Sequence, residues 1–416
     1  MKKLLELGKS LLIVVLLCTL VLLAVASVPV ETIRDNPRLS KYLQPLAPLL
    51  GLPEAELAYV ATALPAMDAA QPTVISVSNS LGRSTAMWDF AALDAAFETF
   101  GGLLGQALDT AELFTATSDA QLRRALSGRS VYFRYDAALP VPLLASWLGG
   151  ELEAAVPASN NCLLSLEGDV VALYLPGTPH FRAVTQVLPE ALEPLLEQAR
   201  PDGSQFAFEA DSHLDPMVLL PGGSVQVQGM AASNPCDTRY IDQLATDLGF
   251  NPYGETRFTD DDGTTYFSEA NTNLEISAAG LVRLTTTAAD RFRAASGSED
   301  ALVELARQLV DIATGNLTTE GRIYLSGLEQ NANTTVCTFD YLLSGIPVRR
   351  SSHAAQIVFT GQSLSSMEIH VTAFRSTGEI LHPLPVSQAA AILPEGSSLT
   401  LEYHLSGGTL TAGWKE

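Results

Sequence analysis

Apolar residues fill positions 11–28 (LLIVVLLCTLVLLAVASV) without a single charge, and beyond them the pattern breaks into short periodic pieces. A helix of that run is about 27 Å long, close to the hydrocarbon thickness of a bilayer, and predicts one transmembrane helix. Lys2, Lys3 and Lys9 precede it while Glu31 and Asp35 follow it. That asymmetry puts the N-terminus in the cytoplasm and the rest of the chain outside. Ala24-Val25-Ala26 would also suit the cleavage site of a signal peptide, although the run exceeds the usual signal core. Residues 31–72, rich in Pro and Leu, read as short helical pieces of a stalk.

Helical and strand periods interleave from 74 to 200. A strand is expected at 74–78, and Leu93, Phe97, Phe100 and Leu104 stand at helical spacing within 89–108. Ser118 and Gln121 make a capping box ahead of a helix that Gly128 stops. A strand at 131–135, a short helix at 142–148 and a hairpin over 163–175, turning at Glu167-Gly168-Asp169, complete this part. Past the Pro201-Asp202-Gly203 turn come strands at 205–210 and 224–229, then a helix at 237–248. Strands at 256–258, 264–269, 273–277 and 281–286 form a meander, turning at Asp262-Gly263 and Ala279-Gly280.

The pattern then recurs. Leu302, Leu305, Leu309 and Ile312 line a helix, followed by strands at 322–325, 336–343, 354–360 and 367–374. A helix at 387–392 and a hairpin over 399–414, turning at Gly407-Gly408, end the chain. The predicted fold class is α+β: a single N-terminal transmembrane helix followed by an ectodomain of helix-plus-antiparallel-sheet modules. The expected divisions are 1–30 (cytoplasmic tip and anchor), 31–200 (α+β), 201–295 (helix plus meander) and 296–416 (a second helix plus meander).

Charge narrows the function. The 416 residues hold 24 basic and 46 acidic side chains, a net charge of −22, which repels nucleic acid and anionic lipid surfaces. Cys162, Cys236 and Cys337 have no metal-knuckle spacing, leaving buried thiols or one disulfide. The sequons at Asn316 and Asn333 matter only in a glycosylating pathway.

Candidate chemistry is sparse. Asp260, Asp262, Gly263 and Glu269 match part of a calcium loop, but Phe258 stands at its first position and the flanks are strands, so an acidic turn is expected. His180, His213, His353, His370, His382 and His404 show no metal spacing, and no G-x-S-x-G supports a nucleophile. Gly8-Lys9-Ser10 lacks the first glycine of a phosphate loop. Asp211 and Asp215 could form a carboxylate pair but read as loop residues, and Arg349-Arg350 is a basic spot on an acidic body. No catalytic residue, metal or cofactor is assigned.

Several stretches resemble a known family. The anchor, Ser130-Val131-Tyr132-Phe133 followed by Leu139-Pro140-Val141-Pro142, Leu248-Gly249-Phe250-Asn251-Pro252, and Phe339-Asp340-Tyr341 leading into Ser344-Gly345-Ile346-Pro347-Val348 look like the YycH/YycI family. These are extracytoplasmic regulators of the WalK (YycG) two-component sensor kinase in low-GC Gram-positive bacteria. The likeness is best over 235–375. It implies a non-enzymatic, single-pass cell-envelope regulator whose partners are a sensor histidine kinase and a paralogous regulator. Cys18, Thr19, Ala24 and Ala26 are then the anchor positions that allow close helix contact, unless they simply face lipid. The alternative is an anchored binder of a cell-wall polymer or lipid-like ligand, held between helix and sheet.

Overall fold

A computed structural model describes residues 66–415, apart from 270, 289, 290, 316 and 318. The expected membrane run and stalk, Gly8-Lys9-Ser10, and Cys18, Thr19, Ala24 and Ala26 lie outside the described residues. No helix among the described residues is long and apolar enough to cross a membrane.

The first unit interleaves α1 (Ala66–Ala69), β1 (Val74–Asn79), β2 (Gly82–Met87), α2 (Phe90–Thr110), β3 (Glu112–Thr117), α3 (Asp119–Ser127), β4 (Ser130–Leu139), α4 (Val141–Trp147), β5 (Ser159–Glu167), β6 (Val170–Leu175), β7 (His180–Val184) and α5 (Pro189–Gln198). Its strands form an antiparallel sheet ordered β2-β1-β4-β5-β6-β7-β3. The two-residue period of a strand sorts its apolar side chains to two faces. Ile75, Val131, Phe133, Cys162, Leu164 and Leu173 pack in the core shared with α2, α4 and α5. Val74, Tyr132, Leu163 and Tyr174 pack on the other side with Leu122 and Leu126 of α3.

Caps set the helix starts. Asp89 accepts from the Ala91 amide, and Ser118 accepts from that of Gln121. In α2, Leu93, Phe97, Phe100, Leu104 and Leu108 are buried. A Cβ at Gly105 would stand 2.8 Å from the Leu148 carbonyl oxygen, so glycine lets the end of α4 come close to α2.

Beyond a two-stranded ribbon of β8 (Gln205–Phe206) and β9 (Leu219–Leu220), the remaining strands share one sheet. They are β10 (Val227–Ser233), then after α6 (Thr238–Asp247), β11 (Phe258–Thr259), β12 (Thr265–Glu269), β13 (Thr272–Ile276) and β14 (Leu281–Thr286). After α7 (Glu299–Thr314) come β15 (Gly321–Gln330), β16 (Thr334–Leu343), β17 (Ile346–Arg349), β18 (Ala355–Thr360), β19 (Ser363–His370) and β20 (Ala373–Leu381). Last are α8 (Val386–Ile392), β21 (Thr400–Ser406) and β22 (Thr409–Lys415).

The architecture is therefore α+β. The strands of 201–295 and 296–416 join directly, with β14 beside β19 and β10 beside β20. Leu302, Val303, Ala306, Leu309 and Val310 of α7 pack in one core with Phe267, Leu284, Cys337, Phe359 and Met367 of the sheet. That core is continuous with the core of the first unit. The opposite face carries Asn273, Thr285, Gln356 and Thr360, all exposed.

Several expected strands differ from the fold: that of 224–229 starts only at Val227 and runs to Ser233, and of 256–258 only Phe258 is strand. Within 205–210 only Gln205–Phe206 is strand; the chain then turns, with the Glu209 and Ala210 amides donating to the Phe206 carbonyl. The expected strand at 367–374 is two, because the Val371 amide turns to the Gly280 carbonyl and the Thr372 amide to the Tyr341 oxygen. Cys162, Cys236 and Cys337 are all free thiols, and burial pushes Cys162 and Cys337 up to about 12.

Candidate functional site: the junction of the two sheets

α1 and α2 meet α7 and β15 around a cavity of about 600 Å³, lined by apolar Met67, Phe97, Leu317 and Ile323 and by a set of charged groups. Arg322 of β15 forks onto Asp94 of α2, with both nitrogen–oxygen distances at 2.7 Å. Its guanidinium lies 4.1 Å from the centre of the Phe90 ring. Gln71 completes the set: its amide nitrogen donates to Asp94, and its oxygen accepts from Arg322 and from the Tyr324 hydroxyl, the latter at 3.0 Å. The Arg322 hydrogen bonds hold the Asp94 carboxyl below its ordinary range. Burial pushes the Tyr324 hydroxyl up to about 12.

A second tie runs from α4 to α7. Trp147 Nε1 donates to Glu304 at 3.0 Å, and Arg307 holds the same carboxylate through Nε at 2.9 Å and Nη2 at 2.7 Å. Arg307 also pairs with Asp311 one turn on. Burial works to raise Glu304, but the bonds and charge of Arg307, together with the bonds from Gln308 and Trp147, leave the carboxyl lowered.

A third tie uses Arg349 of β17, which bonds Glu402 of β21 at 2.8 Å and lies 3.7 Å from Asp136 of β4. Burial raises the Asp136 carboxyl against the pull of Arg349 and Arg134. Glu402 is buried, and its Oε2 makes no hydrogen bond, with Lys415 Nζ 3.8 Å away. The Ser344-Gly345 turn between β16 and β17 has both residues at positive φ (54° and 78°), the signature of a tight hairpin turn. A Cβ at Gly345 would meet Leu93 Cδ1 of α2 at 2.8 Å, so this hairpin tip sits directly on the first unit.

The residues singled out in the sequence are dispersed. Asp260 accepts from the Asp262 and Thr264 amides and from the Tyr266 hydroxyl, while Glu269 accepts from the Asn251 amide; Gly263, at φ 78°, makes the turn. Among the described residues no group of three metal-ligating side chains converges. Asp215 binds the Met217 amide at 2.8 Å, and Asp211 is exposed. Arg349 turns inward as above, and Arg350 donates to Thr372 Oγ1 at 2.8 Å.

Four histidines have polar partners. His353 Nδ1 lies 2.8 Å from Asp340. His370 Nε2 lies 3.2 Å from Ser352 Oγ and 3.5 Å from Glu368. A serine–histidine–acid relay needs the serine on one ring nitrogen and the acid on the other. Here both partners of His370 approach the same nitrogen, and burial, with Arg350 nearby, lowers that imidazole's pKa. His180 accepts from the Gly177 amide, His213 faces the Leu393 carbonyl, and His404 is exposed. His382 lines a broad surface groove with His213 and Leu384.

Gln71, Asp94, Arg322, Asp136 and Glu402 went unremarked in the sequence, since each pairs with a group far along the chain. The Glu304–Arg307–Asp311 set did carry a local signal, because its spacings of three and four share a helix face.

No protein-family model and no curated protein matches the chain. Among solved structures, the dehydratase domain of PpsC from Mycobacterium tuberculosis, in complex with C12:1-CoA, aligns at 11% identity over 65% of this chain and 100% of that chain. Its TM-score of 0.13 carries no argument about fold or function.

Proposed function

We propose that the chain is a membrane-anchored, extracytoplasmic regulatory or scaffolding protein. It modulates a two-component sensor histidine kinase of the cell envelope through protein–protein contacts, with a paralogous regulator as a further partner, and without catalysis. The observation that favours this reading is the junction itself. Its carboxylates and guanidiniums are largely spent on one another, and three ties cross between the two units, which makes it a brace more than a reaction centre. A braced body on a single anchor can bias a kinase only through different contacts with the kinase's two states. The resemblance to YycH/YycI proteins supports the same role. The rival lipid-like ligand would have to take the cavity beside α7 and β15, and it is disfavoured because the Asp94–Arg322 and Arg307–Asp311 pairs line that space with charge.

Co-purification tests the reading. Tagged full-length protein is compared with a version whose residues 11–28 are replaced by an unrelated membrane helix. A histidine kinase recovered with the native anchor and lost with the replacement is the expected result. No kinase in either sample overturns it.

A further inference from the structure

The solvated face of the large sheet carries an array that the junction does not use. The register sets Phe258 opposite Tyr266, Tyr266 opposite Glu275, Glu275 opposite Arg283, Arg283 opposite Glu368, and Glu368 opposite Gln356. Side chains directly opposite in a ladder share a face, so these six form one line, about 24 Å long at 4.8 Å per strand. The line begins with an aromatic pair, ring centres 5.7 Å apart and planes at 22°, in which Phe258 is 60% exposed. Arg283 lies between the two carboxylates, 2.9 Å from Glu368 and 3.8 Å from Glu275. One guanidinium shared by two partly exposed carboxylates leaves the line with a negative excess. Asp260, bonded to the Tyr266 hydroxyl at 3.1 Å, adds another acid beside the rings.

We propose that this line binds a glycan whose sugars carry free ammonium groups. The carboxylates complement the ammonium charge, and an ammonium or a polarised C–H face can sit on the aromatic rings. Neighbouring hydroxyl and amide side chains of the same face can serve the sugar hydroxyls. A polyanionic glycan is repelled by a body of charge −22. A basic peptide fits less well. Extended peptides read a sheet through main-chain groups at its edge, and five of these six residues lie on strands paired on both sides, Phe258 alone standing on an edge strand. The proposal is independent of the kinase reading, because it concerns a different surface and a different ligand.

The test titrates the full-length protein in lipid nanodiscs with a glucosamine hexamer, its N-acetylated counterpart and hexalysine. Saturable binding of the glucosamine hexamer is expected, with weaker binding of the acetylated one. Phe258→Ala and Glu368→Gln each weaken it by about tenfold or more, with unchanged circular dichroism and melting temperature. The absence of saturable binding overturns the proposal. So does binding that both variants leave intact, which marks general attraction to an acidic body. Equal affinity for the acetylated hexamer removes the ammonium requirement. Hexalysine bound as tightly, and lost with the same two substitutions, replaces the glycan by a basic peptide.

Discussion

Arg322 and Asp94 form the clearest single tie between the units, and their exposure sets its size. The two side chains are 37% and 47% exposed, so water screens the pair. A double-mutant cycle with Arg322→Ala and Asp94→Asn is expected to give a coupling of about 1 kcal/mol. Arg322 lowers the Asp94 carboxyl, so the contribution is present above the ordinary carboxylate range near pH ~4 and is lost as pH falls through the lower folded value. Urea midpoints of wild type and Asp94→Asn should therefore converge in acid. Asp136 has the opposite sign. Its carboxyl is raised by burial, so the charged form opposes folding at neutral pH, and that cost is relieved as pH falls through the raised value. Asp136→Asn should raise the urea midpoint at pH 7, by about 1 kcal/mol in stability, with the gain shrinking in acid. A large loss at pH 7 would mean that the Arg349 pair outweighs burial.

At the scale of elements, close approach governs α2. Gly105→Ala adds helix propensity but places a methyl group 2.8 Å from the Leu148 carbonyl oxygen. The expected net loss is about 1–3 kcal/mol, read as a lower melting temperature; equal stability would show that α4 can move aside at little cost. Elements with a strong apolar period were legible in the sequence. The helix at 89–108 is observed as Phe90–Thr110, and the strand at 281–286 as Leu281–Thr286. Gly82–Met87 and Ala373–Leu381 were not, because both are edge strands with few buried apolar positions, and pairing alone defines them. The junction was illegible for a related reason. Arg322 and Asp94 lie 228 residues apart, and only the finished fold brings them together.

At the scale of the molecule, one apolar core runs through both units and three polar ties cross their junction. A contact made anywhere on such a body is felt as a displacement of the whole, and contact regulation through a single anchor requires that property. The direct measurement is autophosphorylation of the proposed partner, a sensor histidine kinase, reconstituted in proteoliposomes with and without the full-length protein. The account predicts a rate altered by about fivefold or more at saturating protein, and restored when residues 11–28 are exchanged for an unrelated membrane helix. A rate indifferent to the full-length protein would contradict it.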